Sequence, residues 1–304
     1  MSTPWRRVGE WLGEPAPAER VAVLRILTGL FATVYLAVRL PVFTGLADRS
    51  RATFEPVGVL WWVDAPLPDA VVVALVVAAL VLGAAFTAGA LFRATGPAFA
   101  LVLLVLTTYR SSWGQLLWFE NLLVLHVMLV GFSRSADTLS VDQRRRPGEA
   151  APSATAYAWP VRIAAIVTVI TYLLAGIAKL RIGGLDWMSG DTLRNHVAYS
   201  ATRLEVLGGT PSPFARAFLG QRSLSTPVAV ATIVMEIGAP IALLGGRWRT
   251  GWVVSAWLFH VGIATLMLVV FPYPLLLVAF APLFPLERLV HSVTARRKSA
   301  SSAA

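Results

Sequence analysis

Long apolar stretches, separated by short clusters of charged and turn-forming residues, divide the chain into about eight segments near the length that crosses a bilayer as helix. They fall at residues 21–42, 70–92, 96–109, 116–132, 158–180, 227–244, 251–271 and 273–286, the last of them short. Their apolar positions do not alternate with period two, which excludes the pattern of a membrane β-barrel. Inside a bilayer no water satisfies backbone N–H and C=O groups, so helix is the spanning structure open to such runs. The pattern predicts an all-α fold, a polytopic transmembrane helical bundle.

Several stretches depart from the pattern. Trp5, Val8, Trp11 and Leu12 recur at helical spacing, with Arg6, Arg7, Glu10 and Glu14 on other faces. That arrangement predicts a helix lying in the cytoplasmic interface over residues 1–19. No small-residue cleavage site follows the first apolar run, so this segment is expected to stay as an anchor. Residues 54–64 (FEPVGVLWWVD) are too short to span and predict an interfacial or re-entrant turn. Residues 135–157 read as a polar linker, and 288–304 as a basic, disordered cytoplasmic tail. Between these ends, residues 20–287 form one transmembrane domain. The loop at 181–225 contains TRLEVLGGTPSPFARAFLG, which reads as a short helix, a Gly/Pro turn and a second amphipathic helix.

Composition agrees with a membrane class. Hydrophobic residues make up 57% of the chain and charged residues 14%, and mean hydropathy is +0.69, far from a soluble domain's roughly 25% charged content. The net charge of +10 bears on orientation before it bears on nucleic acid. With the N-terminus cytoplasmic, Arg6, Arg7, Arg20, Arg93, Arg134, Arg144, Arg145, Arg146, Arg162, Arg247, Arg249, Arg288, Arg296, Arg297 and Lys298 fall inside. Fewer fall outside, mostly in the loop at 181–225. The expected protein is therefore a multi-pass protein of the cell membrane with both termini cytoplasmic. Membrane lipids are its expected partners, and no nucleic-acid-reading motif is present.

Cysteine is absent, which excludes disulfides, thiolate nucleophiles and dithiol redox relays in this chain. The four histidines, at 126, 196, 260 and 291, have no metal-ligand spacing, and no metal site is expected. Walker, dinucleotide-binding and nucleophile-elbow motifs are also missing.

The costly residues are those inside the apolar runs. Arg25 and Arg39 lie near opposite ends of the first run, where long side chains snorkel. Glu120 and His126 lie in the fourth, Glu236 in the sixth and His260 in the seventh. Glu236, in VMEIGAPIALL, has to be paired, protonated or wet, and Pro240 loosens the backbone beside it. Glu236 and His260 read either as structural polar contacts or as parts of a polar cavity. Lys179 ends the fifth run, and an embedded ammonium costs roughly 2.5–3.5 kcal/mol, less near a helix end. It is either an interfacial anchor or a base, partly desolvated so that its neutral amine is accessible near neutral pH.

Five segments in order, LRILTGLFATVYLAVRLPVF, FEPVGVL, YLLAGIAKL followed by DWMSGDTL, MEIGAPIALL and FHVGIATLMLVVFPYPLLL, resemble the horizontally transferred transmembrane (HTTM) domain family. That domain is similar to the membrane part of vitamin K-dependent γ-glutamyl carboxylase. The resemblance runs from about residue 20 to residue 286. It implies that a lysine in an A-G-x-x-K-L segment, before an acidic-Trp pair, deprotonates a reduced quinone. Ala175, Gly176, Lys179, Leu180, Asp186 and Trp187 match this pattern, with a slightly longer spacer. The resemblance thus implies Lys179 as base and a reduced quinone such as menaquinol as cofactor; the reading of the residues adds Glu236 or His260 in support, with Asp186, Trp187 and Arg25 as expected substrate-binding residues.

The sequence also departs from the carboxylase. Its Asn-His pair is missing from SSWGQLLWFENLLVLH, where Asn121 precedes Leu122 and His126 comes about a turn later. No large external C-terminal domain is expected after the last apolar run. Three readings stand: an enzyme acting at the outer face on a quinol, lipid or peptide through Lys179; a non-catalytic membrane partner in maturing or exporting a small secreted peptide; and a small-molecule transporter. The transporter reading lacks duplicated halves.

Overall fold

The computed structural model describes residues 14–46, 48–115, 118–146 and 153–291. Among them there are helices and turns and no strand. In chain order the helices are α1 (Ala18–Val38), α2 (Leu40–Thr44), α3 (Asp69–Ala88), α4 (Phe92–Ser111), α5 (Asn121–Gly131), α6 (Val141–Arg145), α7 (Ala158–Gly183), α8 (Asp191–Val206), α9 (Pro213–Gly220), α10 (Ser225–Ile237), α11 (Gly246–Met267) and α12 (Pro272–Leu275). Five of the described helices, α1, α3, α4, α7 with its flanking 3-10 turns, and α11, are long and apolar enough to cross a membrane.

That pattern differs from the expected eight spans for local reasons. The run at 116–132 yields only the eleven-residue α5. In the run at 227–244, α10 stops at Ile237 and a 3-10 turn continues over Ala239–Leu244. Pro240 explains the change, because it has no N–H to give the carbonyl of Glu236 and its ring crowds that carbonyl. The run at 273–286 forms no continuous helix. Its prolines, at 274, 282 and 285 with Pro272 just before, leave the four-residue α12 and a 3-10 turn at Val278–Leu283. Most of the expected N-terminal helix lies outside the described residues; residues 14–17 are not helical, and α1 begins at Ala18. The expected tail at 288–304 starts helically, at 287–291, and its remainder also lies outside the described residues.

The chain divides into two packed units, Met1–Ala164 with Phe284–Ala304, and Ala165–Leu283. In the first, α1 packs on α3 and α5, and α4 on α3 and α5. Small residues set the α4–α5 approach: a Cβ on Gly96 would lie 2.6 Å from the Gly131 carbonyl oxygen, and one on Gly131 2.7 Å from that of Gly96. The start of α4 is capped from outside, the Asp142 carboxylate accepting the N–H groups of Leu91 at 2.8 Å and Phe92 at 2.7 Å.

Arg25 does not snorkel. Its side chain is fully buried, and its guanidinium donates to the carbonyls of Ser135 and, at 2.5 Å, Leu139. These bonds hold residues 135–139 in place, so the first part of the expected linker is folded structure; residues 147–152 lie outside the described residues. Arg110 and Glu120 form a buried ion pair, and the Tyr35 hydroxyl donates to the same carboxylate oxygen.

Arg20 and Glu287 close this unit through a two-point contact, Nε to Oε2 at 2.8 Å and Nη2 to Oε1 at 2.7 Å. The hydrogen bonds from Arg20 hold the Glu287 carboxyl below the usual carboxylate range. A depressed folded-state value contributes stability above the ordinary carboxylate pKa and loses it as pH falls through the folded value. The thermal midpoint of the protein is therefore expected to fall as pH drops below about 4, and Glu287→Gln is expected to flatten that part of the profile. An unchanged profile in the variant counts against the assignment.

In the second unit, the rest of α7 meets α10 at Gly176, α11 at Tyr172 and α8 at Leu180. The loop at 181–225 forms the expected pair of helices, α8 and α9, on either side of Gly208 and Gly209. Helix α11 ends where Leu268 takes a left-handed conformation (φ 53°), and residues 268–271 form no regular structure.

Candidate functional site

Tyr172, Gly176 and Lys179 recur at i, i+4 and i+7 along α7, one face of the helix. The middle position has to be small. A Cβ on Gly176 would lie 2.9 Å from Glu236 Cβ and 3.0 Å from Ile237 Cδ1, so the missing side chain is what lets α10 come this close. One turn further on, Lys179 Nζ donates to Glu236 Oε1 at 2.6 Å. The lysine side chain is 27% exposed and the glutamate 3%. The other carboxylate oxygen, Oε2, is buried with no hydrogen-bond partner.

Trp187 forms one wall. The Lys179 ammonium lies 5.6 Å from its ring centroid, within cation–π range. The indole itself is buried in a cluster with Ala229 and Ile233, joined by Leu180, Met188, Leu193 and Ile237. Apolar packing thus fixes the ring that faces the ammonium.

Two turns back along α7, the Tyr172 hydroxyl pairs with His260 Nε2 at 2.7 Å. Both side chains are buried. Trp252 stands edge-on to Tyr172 at 5.1 Å, and Phe280 stacks on it at 6.0 Å. Trp252 Nε1 donates to the carbonyl of Met235 at 2.9 Å, which ties this aromatic group to the backbone just before Glu236. With the tyrosine donating to Nε2, the ring proton of His260 sits on Nδ1, a buried atom with no partner.

Of the residues singled out in the sequence, Lys179, Glu236 and Trp187 come together, and His260 joins the same α7 face through Tyr172. Asp186 is exposed in the 3-10 turn Gly184–Ser189, where its carbonyl accepts from Ser189 Oγ at 2.7 Å. Arg25 lies in the first unit on the carbonyls described above. The sequence reading gave no role to Tyr172 or Trp252. Tyr172 had a signal in its spacing from Lys179, whereas Trp252 had none, because its partner is a backbone carbonyl seventeen residues away. Among the described residues no group of His, Asp and Glu is placed to hold a metal ion.

Gly176→Ala tests the geometry. Overpacking of this kind costs roughly 1–3 kcal/mol. The variant is expected to unfold correspondingly earlier in a reversible unfolding series, with the Lys179–Glu236 pair separated. Wild-type stability would mean that α10 is not held at this distance.

No curated protein and no solved structure matches the chain. The HTTM domain model matches residues 14–287, across both units and the whole of this site. With that match and five helices of membrane-crossing length and composition, the chain belongs to the HTTM domain family and is an integral membrane protein.

Proposed function

We propose that the Lys179–Glu236 pair takes a proton from a quinol, lipid or peptide substrate at the outer membrane face. The observation that carries this reading is the unequal setting of the pair, an amine with an exposed edge against a carboxylate with one buried, unpartnered oxygen. The pair has zero net charge whether its proton rests on nitrogen or oxygen. Taking one more proton makes it +1, opposite the negative charge left on the substrate, in a setting where such charges interact strongly. A reduced quinone such as menaquinol fits these residues, and it supplies an acidic hydroxyl. Lysine usage supports the same reading. Lysine occurs only at 179 and 298 among 26 basic residues, so the chain uses arginine almost everywhere a fixed cation suffices, and an arginine cannot act as a base near neutral pH.

The same reading makes the protein multi-pass with cytoplasmic termini, supported by the arginine excess on that side. The test is aerobic oxidation of menadiol, followed by absorbance in nanodiscs, with oxygen as the electron acceptor of the assay. The wild-type protein accelerates oxidation, and folded Lys179→Arg does not. Equal rates in the two proteins, or no acceleration by the wild type, overturn the proposal. The latter result favours a non-catalytic partner in maturing or exporting a small secreted peptide, a role that fits the closed ion pair.

A further inference from the structure

Helices α8 and α9 form a hairpin whose inner face is packed and whose bend is bare. Ala215 and Phe218 of α9 are buried with Leu266 and Met267, at the end of α11, and Ser212 Oγ donates to the Thr265 carbonyl at 2.5 Å. On the two arms of the bend, by contrast, Val206 is 80% exposed, Leu207 71% and Phe214 62%. Apolar surface of this kind is unfavourable in water.

The depth of the bend follows from α11. At the start of that helix Arg247 and Trp248 are exposed, the guanidinium lying 5.2 Å from the indole centroid, and such side chains mark a membrane–water interface. Thr265 stands seventeen residues further on, about 25 Å along the helix at 1.5 Å per residue. The hydrocarbon core is about 30 Å thick, and any tilt of α11 shortens the depth crossed. The carbonyl that holds Ser212 therefore lies near the far edge of that core, not in the medium beyond it. The backbone of the bend is built for this depth, where unbonded donors are costly. The N–H groups of Leu207, Gly208 and Gly209 are bonded to the carbonyls of Arg203, Glu205 and Leu204, and that of Phe214 to Ser212 Oγ at 3.2 Å. Pro211 and Pro213 have none to satisfy. Arg203 and Arg216, exposed just behind the bend on either arm, sit where long side chains reach headgroups.

We propose that the bend between α8 and α9, with Val206, Leu207 and Phe214, dips into the bilayer and takes lipid as its partner. Continuity with the membrane-facing surface favours lipid over a second protein. Val254, Leu258 and Thr265 are exposed and recur at i, i+4 and i+11, one face of α11, and the bend is bonded to the last of them. The contact does not depend on Lys179 acting as a base, so the two proposals fail separately.

The chain has no cysteine, so a single nitroxide label can be placed without removing native thiols. Leu207→Cys and Phe214→Cys are labelled in the full chain, in nanodiscs of phosphatidylglycerol and phosphatidylcholine. Power-saturation EPR then compares collision with oxygen, which partitions into lipid, and with a water-soluble nickel chelate. Val254→Cys, 49% exposed in the middle of α11, is the lipid reference, and Arg222→Cys, 80% exposed before α10, is the aqueous one. Both bend labels are expected to favour oxygen, at a depth of about 5–10 Å into the headgroup–acyl boundary, shallower than the label at 254. Both side chains are already exposed, so neither substitution removes packing; an unchanged thermal midpoint checks the fold, and Val206→Cys replaces a variant that fails it. Nickel contact equal to that at 222 overturns the proposal. Shelter from both reagents also overturns it, because a second copy or another protein then covers the bend.

Discussion

Glu120→Gln is expected to cost about 4–5 kcal/mol, the upper end for breaking a buried ion pair. Arg110, 9% exposed, would keep its charge in the variant because a guanidinium does not lose its proton in proteins. What remains near it is the neutral amide oxygen of the new glutamine, the Tyr35 hydroxyl at 3.1 Å and the Phe43 ring at 6.0 Å, none of which supplies a countercharge. Replacing the whole group, Arg110→Met with Glu120→Leu, is expected to recover most of the loss, since well-packed apolar residues often match a buried pair. Reversible unfolding in mixed micelles measures both. A loss below about 1 kcal/mol in Glu120→Gln, the range of exposed pairs, would place this contact in a water-accessible setting.

Lys179→Met is expected to cost less, about 3 kcal/mol, at the lower end of the same range. The partner left behind here is a carboxylate, which escapes the penalty by taking up a proton. That escape is not open to Arg110. The double variant Lys179→Met with Glu236→Leu is expected to be nearly as stable as the wild type and inactive toward menadiol. Stability and activity would then separate, which an ordinary structural anchor at position 179 would not produce. If Lys179→Met instead unfolds like the wild type, the pair contributes nothing to folding and the 2.6 Å contact is not maintained in the membrane.

Much of this was legible in the residues themselves. Helix class and the positions of α1, α3, α4, α7 and α11 follow from apolar runs near bilayer length, whereas the run at 227–244 reads as one span although the missing donor of Pro240 ends its helix at Ile237. The last run misled because hydropathy averages over Pro272, Pro274, Pro282 and Pro285 while the backbone does not. Arg25 misled in a similar way: its position near a helix end allows snorkelling, but a distant segment supplies the carbonyls that keep it buried. For the site, Gly176 and Lys179 share a helix, so their relation is set by 3.6 residues per turn. Glu236 stands 57 residues from Lys179 and His260 stands 88 from Tyr172, and periodicity carries no information about such pairings.

The contact between Arg20 and Glu287 joins residues 267 positions apart. At translation rates of about 5–20 residues per second, Arg20 emerges roughly 13–53 s before its partner. During that interval the guanidinium has not met Glu287 and stands as a cation at the start of the first long apolar helix, where a positive charge biases which way an inserting chain faces. One side chain would thus serve first in setting orientation during synthesis and afterwards as a clasp, and a ribosome-stalled nascent chain lacking Glu287 would retain the first role without the second.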